Sequence, residues 1–166
     1  MKAVVVYESL WGNTAAVARA IAEGIGNGAQ ALSTAEATAE AVGGSDLIVA
    51  GSPLLGFSLP NDRMIDSIRT SPGSESDPPD LSQPSMRTWL DGLAHGSGRS
   101  AGFETRIWWS PGSAAKAIVK RLESLGFASA HKPAKFIVTG RSGPLKDGEL
   151  ERARAWGAEL ARTITS

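Results

Sequence analysis

Short apolar segments alternate along the chain with segments of helical period. The runs Ala3–Tyr7, 47–51 and 136–139 are rich in β-branched residues and lead into Gly, Ser or Pro, as buried strands often do. A continuous apolar run suits a strand covered on both faces, so these runs predict a parallel sheet. Residues 29–32 are assigned as a weaker second strand, because the alternation requires one there.

Between these runs, large apolar side chains recur every three or four residues, which is the spacing of one helix face. The spacing predicts helices around residues 17–25, 86–93, 118–125 and 150–164. We expect Asp147 to cap the last of them. Strand and helix alternate along the whole chain, so we predict an α/β fold, a doubly wound sandwich with helices on both faces of a parallel sheet.

Residues 103–107 fit this scheme less well, because apolar and polar side chains alternate there. Alternation is typical of a strand with one exposed face, whereas a strand late in a doubly wound sheet is covered on both sides. The sequence alone leaves the exposure of this strand open.

Composition narrows the class of protein. A length of 166 residues fits one domain, and residues 70–85, nine of them Ser or Pro, are expected to be a surface loop within it. The absence of cysteine excludes disulfides, thiolate metal sites and cysteine nucleophiles. The first apolar run is too short for a signal peptide or a membrane span, so we expect a cytoplasmic protein that binds no membrane.

The charge is balanced overall but divided unevenly. Seventeen Lys and Arg match seventeen Asp and Glu, which argues against a nucleic-acid-binding protein. Residues 1–115 nevertheless hold seven basic and twelve acidic side chains, and residues 116–166 hold ten and five. We therefore expect a charge dipole along the sequence.

Candidate chemistry lies in the loops after the strands, because an open parallel sheet binds ligands at the carboxyl ends of its strands. The first loop (residues 8–14) joins the first strand to a helix and contains Ser9, Gly12, Asn13 and Thr14. Hydroxyl groups, an amide, a glycine and a helix N-terminus together make a cradle for an anion. A helix capped by Asn13 or Thr14, without any ligand, explains the same residues equally well.

The first loop contains no Lys or Arg. A loop that binds a nucleoside triphosphate has the pattern Gly-x-x-x-x-Gly-Lys, which is missing here. We therefore expect the cradle to suit a single phosphate monoester held by hydrogen bonds alone.

The segment Tyr7-Glu8-Ser9-Leu10-Trp11-Gly12-Asn13-Thr14 resembles the phosphate loop of the flavodoxin family. The order of elements matches along essentially the whole chain. The resemblance implies a flavodoxin-like five-stranded parallel sheet of order 2-1-3-4-5 and one noncovalent FMN. By position, the residues that would hold the FMN phosphate are Ser9, Asn13 and Thr14, with the backbone of Leu10, Trp11 and Gly12. Trp11 stands where relatives usually have a hydroxyl residue.

The resemblance assigns the second loop (residues 52–60) to one side of the flavin. Its candidate residues are Pro53, Leu54, Leu55, Gly56 and Phe57. The peptide between Leu55 and Gly56 is the candidate for turning a carbonyl toward flavin N5, since glycine makes that change sterically cheap. Packing in the core is the alternative for Leu54, Leu55 and Phe57, and it is the preferred role for Leu59.

The third loop (residues 107–113) corresponds to the family's other flavin-flanking loop. It contributes Trp108, Trp109, Ser110 and Gly112, with an aromatic ring to stack on the flavin and backbone groups to bond its pyrimidine edge. Successive side chains of a strand point to opposite faces, so we expect one of the two tryptophans to be exposed unless a ligand or partner covers it. Ordinary packing is the alternative here, and it is what we expect for Trp89 and Trp156.

Other motif matches fail on their context. Residues 98–102 satisfy Gly-x-Ser-x-Gly but do not follow a strand, as a hydrolase nucleophile would. His95 and His131 have no acid or histidine at ligand spacing and are expected at the surface.

Three functions stay open. The first is an FMN-binding electron carrier between a reductase and an acceptor protein, with redox partner proteins docking over the flavin edge and the chain a monomer or weak homodimer. The second is an FMN-dependent NAD(P)H quinone or small-molecule reductase. The third is a flavin-free binding or regulatory module on the same fold. No side chain stands out as a catalytic acid, base or nucleophile, which favours the carrier.

Overall fold

The computed structural model of the chain describes residues 1–55, 58–70 and 79–165. Its strands are β1 (Ala3–Tyr7), β2 (Gln30–Ser33), β3 (Leu47–Pro53), β4 (Arg99–Ile107), β5 (Ala128–Ser129) and β6 (Ala134–Val138). Its helices are α1 (Asn13–Ile25), α2 (Ala39–Val42), α3 (Asp62–Thr70), α4 (Met86–Gly92), α5 (Ala114–Ser124) and α6 (Glu149–Thr165). No described helix is both long enough and apolar enough to cross a bilayer.

The strands form one parallel sheet in the order β2-β1-β3-β4, with β5 and β6 sharing the next position. β5 pairs with Arg99 and Ser100 at the start of β4, and β6 pairs with the last five residues of β4. The predicted order 2-1-3-4-5 is therefore confirmed. The division of the fifth strand into two segments was not predicted.

The apolar strands are covered on both faces, as their sequence predicts. On β1, Ala3 and Val5 join a core cluster with residues of α1 and α6. Val4 and Val6 join a second cluster on the other face, with residues of α4 and α5. Alternate side chains of one strand thus serve two cores.

The predicted helices correspond to α1, α4, α5 and α6. Trp89 and Trp156 are each only 8% exposed, which confirms their assignment to the core. The prediction for Asp147 is wrong, because α6 begins at Glu149 and the N–H of Arg152 donates to the carbonyl of Gly148. Gly148, with φ of +87°, occupies the capping position where the chain turns into the helix.

The alternating strand β4 is buried on both faces. Glu104 is fully buried and Arg106 is 6% exposed, and their side chains form an ion pair of 2.9 Å. The other Glu104 oxygen accepts from the hydroxyl of Ser113 and the backbone N–H of Ala115, at the start of α5. Polar side chains alternate here because they pair with each other beneath α5, so the alternation does not indicate exposure.

The predicted loop at 70–85 is only partly described. Thr70 is the last residue of α3, and residues 71–78 lie outside the described residues. Residues 79–85 have no regular structure and end at Ser85, whose hydroxyl caps α4.

Candidate functional site

Residues of all three predicted loops meet at the carboxyl edge of the sheet. They line a cavity of about 50 Å³ together with the ends of β4 and β6. Its predicted members are Leu10, Trp11, Asn13, Thr14, Pro53, Leu54, Leu55 and Ser110. Ser9, Gly12, Trp108, Trp109 and Gly112 do not line the cavity. Gly56 and Phe57 lie outside the described residues.

The first loop is shaped by its own hydrogen bonds. Gly12 has φ of +92°, a left-handed conformation that glycine adopts without strain, and it precedes the first residue of α1. The Ser9 hydroxyl accepts from the backbone N–H groups of Gly12 and Ala15, at 3.1 and 3.2 Å. The alternative in which Asn13 or Thr14 caps this helix is wrong, since Gly12 holds that position.

The side chains of Asn13 and Thr14 bind other parts of the protein instead. Asn13 Nδ2 donates to the carbonyl of Ser142 at 3.1 Å. The buried Thr14 hydroxyl shares a hydrogen bond of 2.8 Å with the hydroxyl of Thr105 on β4. The first contact fixes the first loop against the segment that follows β6, and the second fixes it against β4.

Several donors of the first loop remain available. The backbone N–H groups of Leu10, Trp11, Asn13 and Thr14 donate to no group in the described part of the chain. The indole Nε1 of Trp11 is buried and also has no partner among the described residues. Such a concentration of donors at a helix N-terminus matches the chemistry of a phosphate group, which offers only acceptors at neutral pH.

A cation that the sequence analysis missed lies at this site. Arg141 belongs to the fourth loop (residues 139–148), which follows β6, and it lines the same cavity. Its guanidinium carbon lies 5.4 Å from the centroid of the Trp11 ring. The first loop has no cation of its own, as its sequence shows, but the fold brings one beside it from another loop. The rule that ligands bind after strand ends also covers the fourth loop and could have found it.

Arg106 is a second cation that the sequence analysis missed. It lines the cavity from β4, and its Nη1 donates to Glu104 and to the carbonyl of Gly112, the latter at 3.0 Å. Gly112 therefore rests on a buried ion pair, and Arg106 fixes the third loop from below.

Trp108 and Trp109 are both on the surface, where we expected one. They are 75% and 66% exposed. β4 ends at Ile107, and the N–H of Ser110 donates back to the carbonyl of Ile107 to close a turn. The alternation of a strand therefore does not extend to these side chains. Neither side chain is buried against the described residues.

The described part of the second loop combines core and site. Leu54 is 8% exposed and its N–H donates to the carbonyl of Thr105, while Leu59 is 3% exposed. Both leucines belong to the core, which confirms the packing role for Leu59 and supports it for Leu54. Leu55 and Ser58 exchange two backbone hydrogen bonds.

Glu8 connects the first loop to α4 and was not predicted as a site residue. It is 3% exposed, and its carboxylate accepts from the N–H of Met86 at 3.0 Å. Burial raises the pKa of Glu8 to about 7, against the opposing effects of the Met86 hydrogen bond and the Arg87 charge. Its ionisation is therefore expected near neutral pH.

Larger cavities are also present. One of about 740 Å³ is lined by the first-loop residues Ser9, Leu10, Trp11 and Gly12, together with residues that include Arg19 and Glu36. Another of about 740 Å³ lies where β3 and β4 begin, and no predicted site residue lines it.

The structure also shows where the residues of the rejected motifs lie. Ser100 is buried within β4 and donates to the carbonyl of Phe127, so it is no nucleophile. His95 is exposed, whereas His131 is half-buried and contacts Glu159.

Comparison with known proteins places the fold. No family model and no curated protein matches the chain. A flavodoxin from the domain Archaea is similar over 100% of both chains, with a TM-score of 0.69 and 20% identity. Flavodoxin 1 from Bacillus cereus is similar over 98% of both chains, with a TM-score of 0.64 and 19% identity. The rubredoxin oxygen:oxidoreductase of Desulfovibrio gigas is similar over 99% of this chain but 36% of its own, with a TM-score of 0.60 and 16% identity.

These matches agree with the strand order described above. The chain has a flavodoxin-like α/β fold, as its sequence resemblance predicted. Structural similarity at 20% identity or less shows the fold alone and does not identify a ligand.

Proposed function

We propose that this chain is an FMN-binding electron carrier that moves electrons between a reductase and an acceptor protein. The observation that carries the proposal is the cradle of unpartnered backbone donors in the first loop, together with two exposed tryptophans of the third loop whose chain neighbours Ile107 and Ser110 line the same cavity. Its neighbours in fold include flavodoxins, and flavin chemistry would suit a chain without cysteine.

The first loop supplies the phosphate-binding groups. The backbone N–H groups of Leu10, Trp11, Asn13 and Thr14 and the indole N–H of Trp11 are the candidate donors. The Ser9 hydroxyl accepts two backbone bonds, so its own proton can be donated to a ligand. The loop has its shape before any ligand binds, which lowers the entropic cost of binding.

The third loop supplies an aromatic surface. A cavity of about 50 Å³ takes a group of a few heavy atoms, so a flavin ring has to lie mainly outside it. Trp108 and Trp109 are exposed between Ile107 and Ser110, which line the cavity, and stacking on either indole would shield a ring from water. When bound, FMN supplies a ring that takes up and releases electrons one at a time.

The surroundings suit a carrier better than a catalyst. In the described part of the chain, the cavity-lining side chains include no His and no carboxylate that could act as acid or base. We propose that redox partner proteins dock over the flavin edge beside the third loop, where electrons have the shortest path to a bound ring. The assembly in solution would be a monomer or weak homodimer, in the cytoplasm.

Titration with FMN tests the proposal. We expect one equivalent to bind, with quenching of flavin fluorescence and a visible spectrum on the protein. Steady-state oxidation of NAD(P)H with a quinone then distinguishes the carrier from the reductase, and we expect no turnover without an added reductase. Turnover would favour the reductase, whereas a protein that binds no FMN would favour the flavin-free module.

A further inference from the structure

We propose that Arg141 is an anion-binding residue of this site, positioned by the ring of Trp11, and that it takes the phosphate of the ligand. The inference rests on the proposed function for the identity of the ligand as FMN. The class of group recognised is a phosphate monoester dianion.

The position of Arg141 is the first support. It lines the small cavity together with Leu10, Trp11, Asn13 and Thr14, the residues that contribute the unpartnered donors. Its guanidinium carbon is 5.4 Å from the Trp11 ring centroid, within the range of a cation–π contact. The residue that carries the positive charge and the residues that carry the unpartnered donors therefore line one cavity.

The fourth loop is held against the first loop, so this placement is built into the fold. Asn13 Nδ2 donates to the carbonyl of Ser142, the residue after Arg141. Gly143 approaches Asn13 so closely that a Cβ there would lie 2.6 Å from Nδ2. A larger residue at 143 would displace the Asn13 amide and so break the hydrogen bond that joins the two loops.

The chemistry explains why a tryptophan stands at position 11. A hydroxyl there would give a phosphate one neutral hydrogen bond. The Trp11 ring instead orients a guanidinium, which forms charge-assisted bonds to phosphate that are about twice as strong as neutral ones. The site would thus exchange the hydroxyl for a fixed cation, with the indole N–H of Trp11 as the neutral donor that remains at this position.

This exchange predicts discrimination between two flavins that share a ring. FMN carries the phosphate and riboflavin does not, so only FMN affinity should depend on Arg141. A hydrogen bond to a charged group corresponds to about 10- to 100-fold in affinity.

The experiment titrates FMN and riboflavin into the wild type, Arg141→Gln, Arg141→Lys and Arg162→Gln, following flavin fluorescence. Arg162 is exposed in the last turn of α6, so its variant matches the change in net charge away from the site. We expect Arg141→Gln to weaken FMN about 10- to 100-fold and to leave riboflavin within about twofold. Arg141→Lys keeps the charge without the planar group, so its FMN affinity should lie between those of the wild type and Arg141→Gln. The FMN affinity of Arg162→Gln should match that of the wild type.

A second arm tests the role of Trp11. If Trp11 orients Arg141, then Trp11→Ala should remove most of the effect of Arg141→Gln in the double variant. Additive effects would contradict that positioning.

The remaining outcomes separate this inference from the proposed function. Equal loss of FMN and riboflavin in Arg141→Gln, or no loss, overturns the inference while the FMN carrier stands. If the wild type binds no flavin, the proposed function fails. NMR titration with inorganic phosphate then tests whether the anion site exists without it. Phosphate shifts of the first-loop N–H signals that vanish in Arg141→Gln support the anion site, and their absence in the wild type overturns it.

Discussion

The first and third loops reach the same edge of the sheet but are built in opposite ways. In the first loop the polar side chains of Ser9, Asn13 and Thr14 are bound within the protein, and backbone donors are left over. In the third loop the large side chains are exposed, and the support lies beneath them in the Glu104–Arg106 pair. The first loop is therefore a polar cradle that is already arranged by its own hydrogen bonds, whereas the third loop is an exposed aromatic surface whose side chains contribute little to folding.

The support beneath the third loop should give the largest effect. Glu104→Ala leaves Arg106 buried without a counter-charge and should lower the free energy of unfolding by about 3–5 kcal/mol. Urea unfolding measures this. Glu123→Ala, exposed on the same helix that Glu104 supports, should change stability by less than about 0.5 kcal/mol. Equal effects would mean that the pair does not carry the third loop.

The carboxylate beside the first loop should make stability depend on pH. The pKa of Glu8 is raised in the folded protein to about 7 from an ordinary value near 4.5, so the folded state binds the proton more tightly. The resulting stabilisation is complete below pH 4.5 and is lost as pH rises through 7, by at most about 3 kcal/mol. Unfolding of the wild type and Glu8→Gln at pH 5 and pH 8 measures it.

The glutamine variant keeps the acceptor for the Met86 N–H and cannot ionise, so its stability should change little across that interval. Glu149, whose pKa is lowered by its hydrogen bond from Arg152, loses its contribution only below its ordinary range and does not obscure the effect. The same pH dependence in both proteins would contradict the assignment to Glu8.

The hydrogen bonds within the first loop should contribute to both stability and affinity. Ser9→Ala removes the acceptor for the N–H groups of Gly12 and Ala15, which should lower stability by about 1 kcal/mol and weaken FMN binding. Ser97→Ala, exposed at the opposite edge of the sheet, is the control for both readouts. An affinity unaffected by Ser9→Ala would show that the loop needs no such support.

The exposed indoles should contribute to affinity alone. Trp109→Ala removes a stacking surface and should weaken FMN binding by about 0.5–1.5 kcal/mol. Its side chain is 66% exposed, so stability should stay within about 0.5 kcal/mol of the wild type. A stability loss without a change in affinity would assign this residue to packing and remove the contrast between the two loops.

The sheet and the general location of the site could be predicted, because both depend on local pattern. The run Ala3–Tyr7 matches β1 residue for residue, and the rule that ligands bind after strand ends selected residues that do line one cavity. β5 was missed because a two-residue strand has no periodicity to detect.

The contacts between distant loops could not be predicted from local pattern. Asn13 and Ser142 are 129 positions apart, and Arg141 reaches Trp11 although β3 and β4 lie between β1 and β6 in the sheet. The burial of Glu104 likewise depends on its ion pair with Arg106 and on α5, which covers it. An alternating sequence pattern looks the same whether its polar side chains face water or a buried polar partner.

Titration of the purified protein with FMN tests the central claim most directly. Flavin fluorescence and the visible spectrum report whether the cradle of the first loop and the indoles of the third loop act as one site. We expect a single equivalent of bound FMN with quenched fluorescence, and weaker binding in both Ser9→Ala and Trp109→Ala. A protein that stays colourless and leaves flavin fluorescence unchanged would contradict it.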